Sequence, residues 1–142
     1  YAGTVAAALQ HGAVVGASGD GRISVAGRED YAEAAARVVS GADLSTRVME
    51  LAGDQSISLS ELAAEISRQT RRNIPFQNLT EDDYAGVLMG AGLPEAFARA
   101  ISDADRGAAS GELYNASTAL RALIRRPTKP VSTFVAELLS SA

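Results

Sequence analysis

A cluster of glycines (Gly12, Gly16, Gly19 and Gly21), a single histidine (His11) and two sets of acids (Glu81-Asp82-Asp83, and Asp103 with Asp105) are the parts of this sequence whose types and spacing could do chemistry. Glycines in series can bring backbone amides against a phosphate, but only with a strand before them and a helix N-terminus directly after. Here Ile23-Ser24-Val25-Ala26 follows, which alternates like a strand, and no Gly-Lys-Ser/Thr occurs. Gly19-Asp20-Gly21 is therefore read as turn chemistry. Asp103 and Asp105 have the spacing of a D-x-D metal pair, yet residues two apart on a helix point to different sides, so a solvated face is expected. Glu81-Asp82-Asp83 falls in a helix first turn, where acids complement the macrodipole, and His11 sits beside Gly12 at a helix end, where a histidine meets the last carbonyls. These groupings assign no catalytic, cofactor-binding or metal-ligating residue.

Absences narrow the chemistry further. The chain has no cysteine, and Lys129 is the one lysine among its thirteen basic residues, so thiol nucleophiles, thiolate metal sites and multi-lysine mechanisms are excluded within it. Tyr1, Tyr31, Tyr84 and Tyr114 are followed four positions later by Val5, Ala35, Leu88 and Thr118, so no Tyr-x-x-x-Lys proton relay exists. A net charge of −4 with no basic run longer than two argues against a nucleic-acid partner. Hydrophobic content of 46% and charged content of 21% fit a folded globular chain. The uncharged stretch from Tyr1 to Leu9 is well short of the roughly 20 residues a membrane span needs, and no basic segment precedes it. Neither a membrane span nor a signal peptide is expected, and a reducing, cytoplasmic location fits. Without a secretory signal, the sequons at Asn78 and Asn115 are read as coincidence.

The elements that must position any site can be read from periodicity and punctuation. Helix is expected from about Ala2 to Gln10, ended by Gly12, and its lack of an N-terminal cap suggests that the chain starts in the middle of something. Val14 to Ala17 and Ile23 to Ala26 read as a hairpin or as two loop-linked strands. Tyr31, Ala35, Val38 and Val39 mark the buried face of a helix closed by Gly41, and Arg47 to Ala52 reads as a strand entering a turn at Gly53-Asp54. Ser58 and Glu61 form a capping box ahead of Leu59, Leu62, Ala63 and Ile66 on one face of a helix running to about Arg72. An extended segment over Ile74 to Leu79 places Pro75 at a sheet edge. Thr80 and Asp83 cap a helix burying Tyr84, Val87, Leu88 and Ala91, and Pro94 opens another burying Phe97, Ala100, Ile101 and Ala104. Two short helices follow, one with Leu120, Leu123 and Ile124 stopped by Pro127, the other with Val131, Phe134, Val135 and Leu138. Two or three parallel strands cannot cover their own faces, so something upstream is expected to complete the sheet.

Several segments taken together, namely Tyr1 to Gly12, Gly16-Ala17-Ser18-Gly19-Asp20-Gly21, Ala26-Gly27-Arg28-Glu29-Asp30-Tyr31-Ala32, Glu50-Leu51-Ala52-Gly53-Asp54, Gln77-Asn78-Leu79, Gly92-Leu93-Pro94 and Arg126-Pro127-Thr128, resemble the C-terminal half of the NmrA-like atypical short-chain dehydrogenases. The resemblance covers essentially the whole chain and is nearest to the type 2 NAD(P)H:quinone oxidoreductase branch, with the triphenylmethane reductases more distant. The family's Gly-x-x-Gly-x-x-Gly turn and Asn-Gly-x-Tyr-x-Glu-Asn segment are not in the chain, and Tyr1 looks like the residue just past the latter.

The resemblance implies an α/β fold: the C-terminal portion of a Rossmann-type doubly wound sheet (1–56) plus a mostly helical substrate-side lobe (57–142). It also implies NADPH, bound mainly by residues absent from this chain, and hydride transfer to a quinone or similar flat acceptor in a cleft between sheet and helices. Its partners would be the missing N-terminal half of the same protein and a second copy as a homodimer. Tyr1 and Thr4 would lie near the cleft floor, while Arg28 and Asp30 would fasten the hairpin to the following helix. As an expectation separate from the resemblance, the helices bearing Met89 and Phe97 lid an apolar pocket suited to a flat ring, the alternative for both being ordinary core positions. The rival function is a non-catalytic dinucleotide-binding redox sensor or regulator.

Overall fold

Ser58 and Glu61 act on one another as their spacing predicts. The Glu61 amide donates to Ser58 Oγ at 3.1 Å and the Ser58 amide donates to Glu61 Oε2 at 3.0 Å. The helix they start runs Leu59–Thr70 and buries Leu59, Leu62, Ala63 and Ile66, the four residues of its apolar stripe, before Arg71 ends it in the left-handed region. The computed structural model describes residues 2–41 and 48–140. In chain order the elements are α1 (Ala2–His11), β1 (Val14–Gly16), β2 (Ile23–Val25), α2 (Arg28–Ser40), β3 (Gln55–Ile57), α3 (Leu59–Thr70), β4 (Phe76–Asn78), α4 (Glu81–Gly90), α5 (Glu95–Ala109), α6 (Ala119–Ile124) and α7 (Val131–Ser140).

After α3 the chain turns on Ser67, whose hydroxyl donates to the Ile74 carbonyl at 3.0 Å and accepts from the Ile74 amide at 2.9 Å. That delivers β4 parallel to β1, with Val14 opposite Phe76 and Gly16 opposite Asn78. Pro75 serves the ladder as an acceptor, its carbonyl taking the Val14 amide at 2.9 Å, which is the role open to a residue without an N–H. β2 pairs antiparallel with β3, Ile23 opposite Ile57. The runs at Val14 and Ile23 are therefore loop-linked strands that each pair with a distant segment.

The strand expected over Arg47 to Ala52 is a misreading: Arg47 lies outside the described residues, and 48–52 forms no regular element and no ladder pairing. Leu51 instead packs against the small cluster of Ala34, Leu120 and Ile124. The pairing strand comes later, at β3, because Gly53 passes beneath β2 so closely that a Cβ there would collide with the Val25 carbonyl.

Three helices bury a different face from the one their apolar spacing marks. On α2, Asp30 and Ala34 are buried, while Tyr31, Ala35, Val38 and Val39 are exposed. The Asp30 carboxylate accepts the Lys129 amide at 2.9 Å and meets the Arg126 guanidinium at 2.8 Å, and this tie sets the helix rotation. On α4, Tyr84 is buried as expected but with Ala85, and Val87 and Ala91 are exposed. On α5, the expected face of Phe97, Ala100, Ile101 and Ala104 points to solvent, and Ala98, Ser102, Asp105 and Ala108 face inward. Small residues let α4 and α5 approach each other and the β1–β2 loop closely, at the cost of leaving larger side chains outside. The main core joins Val5, Val14, Ile23, Leu59, Leu62, Ile66 and Ile74 with Val131 and Val135 of α7.

Candidate functional site

The carboxyl ends of parallel strands are where open α/β sheets place their ligands. Here those ends are Gly16 and Asn78, and the chain around them is tightly specified. Gly12, in the left-handed region, reverses the chain between α1 and β1, so the first turn of α1, with Thr4, returns toward the same end. The Leu79 amide donates to the Gly16 carbonyl at 2.8 Å, the Gly19 amide donates to Asn78 Oδ1 at 2.9 Å, and the Ala17 amide donates to Asp105 Oδ2 at 2.8 Å. A Cβ on Gly16 would lie 2.5 Å from Leu59 Cδ1 and 2.6 Å from Asp105 Oδ2, and one on Gly21 would collide with the Ala108 carbonyl. These glycines are required by protein packed against them. The segment leads into β2, so it makes no phosphate cradle, and the described residues do not fit a dinucleotide pyrophosphate at this turn.

Behind the turn lies a polar cluster. Asp105 is buried, and burial pushes its carboxyl above the usual range against the opposing effect of the Ala17 amide. This corrects the solvated-face reading for Asp105. Asp103 does face solvent, paired with Arg106. Tyr84 is buried facing Asp105, and desolvation with that neighbouring charge pushes its phenol up to about 12. Ser18 is fully buried, and its hydroxyl has no hydrogen-bond partner among the described residues. A buried acid, phenol and hydroxyl can orient a loop or donate protons. No three His, Cys, Asp or Glu side chains among the described residues are placed to hold a metal. The signal for Asp105 is the helical stripe of small or polar residues Ala98, Ser102, Asp105 and Ala108, which apolar periodicity alone outweighs on the opposite face.

The four residues expected at the substrate pocket are not gathered into one pocket among the described residues. Tyr1 lies outside the described residues, Thr4 is half-buried on α1, Met89 on α4 is 38% exposed and Phe97 on α5 is 67% exposed. The core alternative for Met89 and Phe97 does not match these exposures. A cavity of about 550 Å3 opens beside the start of α1, lined by Gly3, Val25, Ile57, Leu62 and Phe134, with Lys129 at its rim. Thr4, Met89 and Phe97 do not line it. Lys129 sits 2.8 Å from both Glu29 and Glu137, which hold its amine protonated. Arg28 lines the cavity and takes no part in the fastening expected of it, and Asp30 fastens the 126–129 segment to α2 in place of a hairpin.

Comparison with known proteins gives this geometry a context. No family model matches the sequence. Quinone oxidoreductase 2 of Escherichia coli (strain K12) is 44% identical over 140 residues, 99% of this chain and 49% of that protein. The chain is a homologue of its C-terminal half. The E. coli NADPH-dependent quinone oxidoreductase solved in complex with NADPH superposes with a TM-score of 0.94 over 98% of this chain and 49% of that one. The Citrobacter sp. triphenylmethane reductase superposes with a TM-score of 0.88 at 25% identity, over 96% of this chain and 47% of that one. The chain thus spans about half the length of the relatives it matches. Its α/β architecture is the corresponding part of a Rossmann-type oxidoreductase fold. No helix among the described residues is long and apolar enough to cross a membrane.

Proposed function

We propose that this chain is the acceptor-side half of an NAD(P)H-dependent oxidoreductase that passes hydride to a quinone-like ring. The likeness, across nearly the whole chain, to an oxidoreductase whose solved structure holds NADPH carries this reading. The bound dinucleotide supplies the hydride. Its phosphates find no cradle in the described residues, so the contribution of this half is to shape and dry the acceptor side, which agrees with its lack of cysteine and its single lysine and histidine. Tyr1 and Thr4 are proposed for the cleft floor, and Met89 and Phe97 for contact with the flat ring. In this reading the division at 56/57 is one of roles, a sheet side and a substrate side, with the β1–β4 pairing joining the two. A cytoplasmic homodimer completes the proposal.

NADPH oxidation by the full-length protein with benzoquinone tests it directly. Turnover that depends on both substrates supports the reading. NADPH binding with no turnover overturns it in favour of the dinucleotide-binding sensor.

A further inference from the structure

Resting on the reading that the α4–α5 hairpin flanks the acceptor, we infer that this hairpin is a hinged lid over the strand ends, latched by Asp105 on the Ala17 amide. The hairpin is set apart from the apolar interior. No residue of α4 joins either hydrophobic cluster, and α5 contributes only Ala108 to the main one. Val87, Phe97 and Ile101 face outward, and its buried Tyr84, Ala85 and Ala98 join neither hydrophobic cluster, so little apolar area ties it to the body.

The two helices are braced to each other. Arg106 reaches Glu81 at 3.1 Å and Arg99 reaches Asp82 at 3.6 Å, each pair crossing from α5 to α4. That bracing lets the pair move as one body. The hinges stand at its two ends: Thr80, one residue after the last ladder bond from Leu79, and Gly111, in the left-handed region two residues past α5. Against the body, α5 is held by the buried Asp105 carboxylate on the Ala17 amide and by the backbone contact of Ala108 with Gly21. Gly16 lacks a side chain where Asp105 arrives, so the loop is shaped to receive this carboxylate. Asp105 is thereby a positioning residue: it sets the loop at residues 16–19 and the resting place of Met89 and Phe97. An element held by a few polar contacts opens more readily than one sealed by apolar area, and lids belong to that class.

The test compares Asp105→Ala and Asp105→Asn in the full-length protein by hydrogen exchange and steady-state kinetics. Asn keeps an oxygen to accept from Ala17, and Ala does not. In Asp105→Ala, exchange over residues 81–109 is expected to rise about ten-fold with α3 unchanged, and KM for benzoquinone to rise about ten-fold with KM for NADPH within about two-fold. Asp105→Asn is expected to stay near wild type in both. Unchanged exchange in the hairpin of Asp105→Ala overturns the latch, as does an equal rise in α3, which reports global loosening. A wild-type protein without quinone turnover removes the proposed function, while the exchange comparison still decides the latch.

Discussion

Asp30→Ala isolates the tie between α2 and the segment before α7. The carboxylate is 1% exposed, accepts the Lys129 amide at 2.9 Å and lies 2.8 Å from Arg126. Removing it orphans the Lys129 amide, which costs about 1–3 kcal/mol when no replacement partner is at hand. The Arg126 side chain is 44% exposed and keeps Glu33 at 2.8 Å, so its share is discounted for solvent to at most about 1 kcal/mol. The sum is about 1–4 kcal/mol, which moves a urea midpoint by about 0.5 M or more. The pH dependence carries a definite sign. Burial pushes the Asp30 carboxyl up, but the amides of Lys129 and Gly27 and the Arg126 guanidinium more than offset this and leave it below the usual range. A depressed carboxyl stabilises the fold above its unfolded pKa of roughly 3.9, and that stabilisation fades as pH falls through the lower folded value. Urea melts of wild type and Asp30→Ala at neutral pH and in mild acid check both parts. A difference below about 0.5 kcal/mol at neutral pH, or one that grows on acidification, refutes the reasoning.

Ser58→Ala should cost about 1 kcal/mol, because it removes the acceptor for the Glu61 amide at the head of α3, and a thermal melt reads this as a lowered midpoint with unchanged helix content at low temperature. Gly21→Ala forces a Cβ into the Ala108 carbonyl, and chemical denaturation should show a loss of about 1–3 kcal/mol, with protease cleavage appearing near the end of α5. Ultraviolet titration should show one phenol ionising last, at about 12, and Tyr84→Phe should delete that step; persistence of the step in the variant excludes Tyr84 as its source.

How much of the fold was legible follows from what each element packs against. α3 was read correctly in its cap, stripe and end, because it lies against the main core and its largest side chains dominate the contact. α5 was located correctly but assigned the wrong face. Apolar spacing assumes that the largest hydrophobes choose the buried side, whereas close approach of backbones selects Ala98, Ser102 and Ala108. The pairing of β1 with β4 joins segments about sixty residues apart, and three-residue strands carry too little alternation to reveal a partner. At the site, Asp105 was set aside as solvated because local spacing says nothing about the Ala17 amide eighty-eight residues earlier. The residues that tie the strand ends together, Asp105 on the Ala17 amide and Asn78 on the Gly19 amide, emerge only from long-range contacts.

Asp30 and Asp105 are both buried acids on helices, and the structure gives them opposite roles through the number and charge of their partners. Asp30 has a guanidinium and backbone amides, enough to overcome desolvation, so its ionised form strengthens the fold at neutral pH. Asp105 has one amide, which does not overcome desolvation, and Tyr84 beside it is neutral. With its folded pKa raised, the stabilisation attached to Asp105 is complete below the unfolded value of roughly 3.9 and is lost as pH climbs through the folded one. Ionisation therefore favours the α2 tie and disfavours the α5 attachment. Of two helices fixed by buried carboxylates, the one with the barely partnered carboxylate is expected to open first. The second of these helices belongs to the hairpin carrying Met89 and Phe97, the residues proposed for contact with the acceptor.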